Sequence, residues 1–508
     1  MNGCGGSLND PMMQQEVFPP TRAFNALVKF GIIPIVLIFY LTAGLHYDYT
    51  PDDTYIYLQY ASHLADGGGF SFNQGMPSYG VTGPLWVVVI AVGALGGLDP
   101  YIVAKTLDLV FASLSILVLY FVAFGVLRSK VYALAASAIF SFDSWMLRWS
   151  GSGMETSLAV LLSLLAIWYV YRNDYLLAAF VCGVLTLVRP EGAILFVIIQ
   201  IDNLLNSREW IMSRRVLIRS VLLYALVLLP WLITAFVMFG TIVPNTFGAK
   251  SIAEHSLASM IFVAGSEVKI VAATQAVPIL FLIVGGVMAV RRLPWKIVRL
   301  EMFPLFWAVA LLVFYIIANV QVVSRYLLLI LPEIVVFGLW GMKKMQEFWN
   351  LDWRRAGTLL AAAVVLTVGQ NEFVYQQVVL PHMTGFTKGM TDGLKPIAYW
   401  LREHGTPERS LVTPDVGLMG YISGVRVYDT AGLVTPEMRS AFSGLTYSEG
   451  MREERYRSVV QPDFVLDRSA LPERLASPHL VPVMTKKFPS IAIAKPGPVY
   501  YTLYRGVP

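Results

Sequence analysis

The chain has 508 residues, 56% of them hydrophobic and only 14% charged, with a formal net charge of +5. Soluble globular proteins run near a quarter charged, so a single soluble core is excluded. The basic excess lies in short clusters between apolar runs, which argues against a nucleic-acid partner and reports membrane topology instead.

In chain order, residues 1–22 read as a cytoplasmic tail, followed by an apolar run from Phe30 to Leu45. Arg22 and Lys29 precede that run, but no small-residue cleavage site closes it before Asp48, Asp52 and Asp53, so it reads as a retained first helix. About eleven spans follow from matching apolar runs to Lys/Arg clusters. They cover 26–46, 101–127, 131–147, 157–171, 175–189, 191–206, 217–239, 271–290, 300–320, 326–342 and 356–379. This places Arg128 and Lys130, Arg172, Arg208 with Arg214, Arg215 and Arg219, Arg291 with Arg292 and Lys296, Lys343 with Lys344, and Arg354 with Arg355 on the cytoplasmic side. Gly83 to Leu95 is apolar but short, and it reads as a helix at the outer interface with Trp86 at headgroup level.

The expected protein is a polytopic α-helical membrane protein of the inner membrane, with a membrane module over 23–379. Two outer regions are large enough for chemistry: a first loop at about 47–100 and an extracytoplasmic α/β domain over 380–508. In that domain helices are expected at Gly393 to His404 and Ser448 to Val460, and strands at Ser410 to Thr413, Val425 to Asp429 and Asp463 to Asp467. A hairpin of Ile491 to Lys495 with Val499 to Tyr504 closes it around Pro496-Gly497-Pro498. Cys4 and Cys182 cannot form a disulfide framework in an exported domain.

Tyr49-Thr50-Pro51-Asp52-Asp53-Thr54-Tyr55 stands directly after the first span. Two adjacent carboxylates there can deprotonate a sugar hydroxyl, bind it, or hold a divalent ion such as Mg²⁺ or Mn²⁺. The same residues also make an ordinary helix start, with Thr50 as N-cap, Pro51 at the first helical position and acid in the first turn. Tyr57 and Tyr60 share a helix face with Asp53, and Asp66-Gly67-Gly68-Gly69 leads into Phe70-Ser71-Phe72-Asn73, an aromatic and Gly-rich rim suited to a sugar. His63, His255 and His382 have no metal-ligand spacing.

Asp52-Asp53-Thr54-Tyr55-Ile56, Gly68-Gly69-Phe70-Ser71-Phe72-Asn73-Gln74-Gly75 and Tyr79-Gly80-Val81-Thr82-Gly83-Pro84-Leu85-Trp86 together resemble the first outer loop of GT-C membrane glycosyltransferases. The chain most resembles the mycobacterial-type cell-wall arabinofuranosyltransferases. Ser152-Gly153-Met154-Glu155-Thr156, Arg189-Pro190-Glu191-Gly192, Pro244-Asn245-Thr246-Phe247 with Ala249-Lys250, and Arg325-Tyr326-Leu327-Leu328 extend the resemblance, which reaches Asp415-Val416-Gly417 in the tail.

The resemblance implies a polyprenyl-phosphate sugar donor, a cell-envelope glycan or lipid acceptor, and an Asp of the first outer loop at the active site. It also places an acidic residue, here Glu155, in the second outer loop, although Ser152-Gly153-Met154-Glu155 also fits a capping box. The catalytic candidates are then Asp52, Asp53 and Glu155. Candidates for the donor phosphate are Lys250 and Arg325 first, with Arg148 and Arg189. Arg148 stands between Trp145 and Trp149, which equally suits an interfacial anchor. Tyr57, Tyr60, Asn73, Tyr79, Trp86 and Asn245 are the candidates for sugar and acceptor. A transporter or flippase, or a non-catalytic binder of lipid-linked sugars, stays open as the rival reading. Against a transporter, the sequence has no inverted repeat and no matched pair of broken helices.

Overall fold

The computed structural model describes residues 30–206, 210–250, 255–290, 302–493 and 497–507, with the side chains of 206, 210, 249, 250 and 290 left aside. Arg208, Arg291, Arg292 and Lys296 lie outside these residues, as do the tail 1–22, Cys4 and Pro496.

Helices lie along the described part of every stretch expected to cross the membrane. In order they are α1 Ile32–Gly44, α2 Asp52–Ala65 and α3 Pro84–Leu95 in the loop that follows α1, α4 Pro100–Leu127, α5 Lys130–Ser141, α6 Ser144–Trp149, α7 Thr156–Tyr171, α8 Tyr175–Val188, α9 Gly192–Asn206, α10 Trp210–Phe239, α11 Asn245–Lys250, α12 Leu257–Val290, α13 Phe303–Ile317, α14 Ser324–Leu327 and α15 Leu331–Phe348. The last of the series, α16, runs from Trp353 to His404. Four of them are long and apolar enough by themselves to span a bilayer: α4, the Ile211–Phe239 part of α10, the Leu257–Ala289 part of α12, and α16. The protein is a polytopic α-helical membrane protein.

Local chemistry sets where the helices begin and end. Asp99 accepts from the amides of Tyr101 (2.7 Å) and Ile102 (3.3 Å) with Pro100 at the first turn. Asp143, Asp174 and Asp352 likewise cap α6, α8 and α16. Asn173, Asn319 and Asn350 take left-handed backbone angles after α7, α13 and α15, a conformation that Asn tolerates better than most residues. Pro278 and the non-helical Gln275 kink α12. That kink is held by the Gln275 amide, which donates to Asp143 at 2.7 Å.

Helices α12 and α15 touch backbone to backbone: a Cβ on Gly341 would stand 2.2 Å from the Phe281 carbonyl oxygen, and one on Gly285 2.0 Å from that of Gly341. Small residues permit such approach where lipid supplies no hydrophobic drive.

A ribbon of β1 Ser71–Asn73 and β2 Met76–Pro77 decorates the loop between α1 and α4. The tail carries a five-stranded sheet of β3 Ser410–Thr413, β4 Arg426–Asp429, β5 Phe464–Ser469, β6 Leu480–Phe488 and β7 Val499–Gly506, in the order β4-β3-β5-β7-β6. β3 pairs in parallel with β4 and β5, while β7 runs antiparallel to β5 and β6. The hairpin differs from expectation, because β7 pairs with Leu480–Phe488; of the expected partner strand, residues 491–493 do not pair with β7, and 494 and 495 lie outside the described residues. α16 passes through residue 380 without a break, with two π-helical stretches at Tyr375–Val379 and Gly389–Leu394.

The sheet domain is fastened to the loop between α1 and α4. Asn73 exchanges two hydrogen bonds of 2.9 Å with the backbone of Val427, and α17, Gly417–Ser423, packs on α2 so tightly that a Cβ on Gly417 would meet the Asp52 carbonyl oxygen at 2.0 Å.

Candidate active site

Pro51, in extended conformation, is the residue that opens α2, and no side chain caps the helix. The Thr50 hydroxyl instead meets Tyr101 Oη at 2.9 Å and accepts from Lys105 Nζ at 3.0 Å. Asp52 and Asp53 are therefore not spent on their own helix, and consecutive helical positions about 100° apart send them in different directions.

Asp52 points at the sheet domain. Its two oxygens accept from the amides of Gly417 (2.8 Å) and Leu418 (2.9 Å). Burial first, and the nearby Asp415 carboxylate second, push its pKa up to about 7 against the pull of those two amides. Asp415 itself is held by Arg468 Nη1 at 2.8 and 2.9 Å and by Tyr501 Oη at 2.6 Å. A carboxyl with a raised folded-state pKa keeps its proton better folded than unfolded, so its contribution weakens as pH climbs from about 4 to about 7. We expect thermal stability to fall across that window and Asp52→Asn to flatten the fall. A pH dependence identical in the variant would place the titrating group elsewhere.

Asp53 points into a cavity that encloses about 820 Å³ of empty space, counted out to its open mouth. There it forms an ion pair with Arg325 from α14, whose guanidinium lies 5.4 Å from the ring centres of both Trp149 and Tyr326. Burial opposes the charge on Arg325 more than any one partner favours it, but Asp53, Tyr326 and Glu155 together outweigh burial and keep the group protonated. Across the cavity Glu155 pairs with Arg189 at 3.4 Å, and Arg189 pairs with Glu191 at 3.2 Å. Tyr315 Oη donates to Glu191 at 2.6 Å, and Arg189 lies 4.9 Å from the Tyr326 ring. Tyr57, Phe247, Phe314 and Leu433 complete the walls, so the sheet domain contributes one of them.

The structure thus gathers Asp53, Glu155, Arg189, Arg325 and Tyr57 around one space. Glu155 makes no capping hydrogen bond at the start of α7, so the capping-box alternative does not describe it. The remaining candidates are placed elsewhere. Tyr60 is fully buried and bonds Ser78 Oγ at 2.7 Å, because its helix face packs on Phe70 and Phe72. Asn73 is committed to Val427, and Asn245 donates to the Leu433 carbonyl at 3.1 Å. Tyr79 accepts from Trp231 at 2.8 Å and stacks on Phe239. Trp86 is not at headgroup level: it is fully buried and donates to the Gly153 carbonyl at 3.1 Å. Arg148 lies over Trp149 and donates to Tyr49 Oη at 3.1 Å, an anchor outside the cavity. The Lys250 side chain lies outside the described residues.

The candidates chosen from sequence left out Glu191, Tyr315 and Tyr326, although Glu191 and Tyr326 stand in the quoted motifs. Glu191 carries a signal, a carboxylate next to an Arg between two apolar runs; Tyr315, inside an apolar run, carries none. A divalent ion fits the Asp52-Asp53 pair poorly, because Asp52 is engaged by two amides and Asp53 faces Arg325. Among the described residues no group of three His, Cys, Asp or Glu side chains converges as a metal site.

Residues 384–504 match a family described as a domain of unknown function, DUF8728, and no curated protein matches the chain. Among solved structures, ArnT from Cupriavidus metallidurans bound to undecaprenyl phosphate is similar at a TM-score of 0.53 and 14% identity, over 93% of this chain and 98% of that one. The arabinofuranosyltransferase AftD from Mycobacteria is similar at a TM-score of 0.51 and 14% identity, over 97% of this chain but only 40% of its own length. The chain therefore shares the fold of these two proteins.

Proposed function

We propose that this chain is a membrane glycosyltransferase that moves a sugar from a polyprenyl-phosphate donor to a hydroxyl of a cell-envelope glycan or lipid, with the cavity on the extracytoplasmic face. The observation that carries the reading is the meeting of Asp53 and Arg325 in one cavity, with Glu155 and Arg189 opposite. Among the sugars, arabinofuranose is suggested by the likeness to AftD, and the lipid phosphate by the undecaprenyl phosphate bound to ArnT.

In this reading the prenyl chain lies among the membrane helices and its phosphate reaches the cavity. Arg325 offers a planar fork of donors to the phosphate oxygens. Engaging them loosens its hold on Asp53, whose carboxylate then takes the proton of the acceptor hydroxyl. The acceptor oxygen bonds to the anomeric carbon as the bond from that carbon to the phosphate oxygen breaks. Polyprenyl phosphate leaves, its added charge met by Arg325. Arg189 is already shared by Glu155 and Glu191, which suits it to hold those carboxylates in place for sugar hydroxyls.

The test is transfer by purified protein from polyprenyl-phosphate pentoses and hexoses, together with mass spectrometry of the lipid that copurifies. Arg325→Ala is expected to weaken donor use by about one to two orders of magnitude, the loss of a charge-assisted contact worth roughly 1.5–3 kcal/mol. Unchanged kinetics would return Arg325 to an interfacial anchor. Failure of wild-type protein to transfer from any such donor would defeat the proposal as a whole.

A further inference from the structure

Outside the cavity, the most unusual chemistry in the bundle is a pair of charges buried one turn apart on α4. Lys105 and Asp108 are both fully buried, and neither lines the cavity. Separated by three residues, they share a helix face, yet each is directed at a different outer loop. Lys105 Nζ donates to the Tyr49 carbonyl at 2.7 Å and to Thr50 Oγ1 at 3.0 Å, just ahead of Asp53 in the chain. Asp108 Oδ2 accepts from Ser152 Oγ at 3.0 Å and from the Gly153 amide at 2.9 Å, just ahead of Glu155.

We propose that Lys105 and Asp108 are positioning residues that fix the separation of Asp53 and Glu155 across the cavity. The inference rests on the glycosyltransferase reading of that cavity. The two loops also meet directly, Thr54 Oγ1 donating to the Ser152 carbonyl at 3.0 Å. Gly153 lies where everything converges: its φ is +85°, and a Cβ there would stand 2.7 Å from Thr54 Cγ2 and 3.2 Å from Lys105 Cδ. Its carbonyl is taken by Trp86, so both backbone groups of this residue are fixed from outside its own loop.

The use of charges argues for positioning over simple adhesion. Burying an ammonium and a carboxylate costs several kcal/mol each before any partner is found, and apolar residues of similar volume would pack loops at lower cost. Charge-assisted hydrogen bonds are shorter and more directional than apolar contacts. A catalytic pair needs its geometry held to about half an ångström, which such bonds provide.

The experiment compares wild type with the double variant Lys105→Met/Asp108→Asn, which removes both charges together so that neither is left alone. Hydrogen exchange by mass spectrometry is read alongside sugar-transfer kinetics. Exchange is expected to quicken in peptides covering the Tyr49–Thr54 and Ser150–Thr156 stretches and to stay unchanged in β3 to β7. kcat is expected to fall by about 10- to 100-fold, the scale of a misplacement near 1 Å, with donor KM within about twofold. Should the double variant not accumulate, Asp108→Asn, which keeps an acceptor oxygen, gives the same two readouts. Unchanged exchange in the two loops overturns the brace, whether or not wild-type protein transfers sugar. Loosened loops with kcat within about twofold of wild type also overturn it, and so does an exchange increase spread over the whole chain. Absence of transfer by wild type counts against the glycosyltransferase reading alone.

Discussion

Asp53→Asn is expected to lower kcat for the proposed sugar transfer by about 10²- to 10⁴-fold, the usual contribution of a general base, and to leave the fold intact. Asn keeps the size of the side chain and an oxygen for Arg325 but cannot take a proton. The neighbouring substitution Asp52→Asn has a different signature. Asp52 touches Gly417 and Leu418 and lies outside the cavity, so its loss acts on the seating of the sheet domain. Transfer rates of both variants, read beside the thermal unfolding of each, decide the matter. Equal losses in the two would show that the carboxylates act as one unit. Near wild-type transfer by Asp53→Asn would remove the base from this site.

Gly341→Val is expected to prevent the membrane bundle from closing. Its Cβ would fall 2.2 Å from the Phe281 carbonyl oxygen, and the opposing Gly285 offers no side chain that could turn away. Ordinary overpacking costs roughly 1–3 kcal/mol because side chains shift. Here two backbones must part, so the cost exceeds that range and also displaces the kinked α12. Gly286→Val is the control, since nothing lies within 4 Å of a Cβ there. Thermal unfolding in detergent and elution as a single species should separate the two. If Gly341→Val melts with Gly286→Val, α12 and α15 do not meet at these residues.

Much of the fold was legible because in a membrane the backbone must satisfy itself, which makes long apolar runs helical. The short loop helix at Gly83 to Leu95 was legible for the same reason, from its length. Its burial was not: a helix apolar on all sides reads alike whether lipid or protein surrounds it, so Trp86 was expected at an interface. The strand Leu480–Phe488 escaped because Pro482, Lys486 and Lys487 look unlike a sheet interior. It is the edge strand, and its register shifts between Pro482 and Met484, which is where a missing donor is tolerated.

At the site, the sequence could bring Asp52-Asp53 forward but could not divide them. One step along a helix separates a cavity from a domain contact, and only the position of Gly417, more than 350 residues later, tells which is which. Arg325 and Glu155 were marked by motif, and Tyr326 stands in the same motif as Arg325, whereas Tyr315 reaches the cavity through a fold that sets distant residues side by side. Tyr60, Asn73, Tyr79 and Asn245 belong to recognisable stretches, yet each is consumed in joining one part of the protein to another.

The unbroken course of α16 from Trp353 to His404 has its own bearing on how large acceptors could be handled. A domain hung on a flexible tether samples a volume, and whatever it holds is presented at an effective concentration averaged over that volume. Here a helix leads straight from the bundle to the sheet, and Asp52 and Asn73 fasten the far side. The sheet therefore has no search radius. If the proposed glycosyltransferase takes a long polymer as acceptor, the polymer must bring its own end to the cavity by sliding or bending, and reach is set by the flexibility of the acceptor.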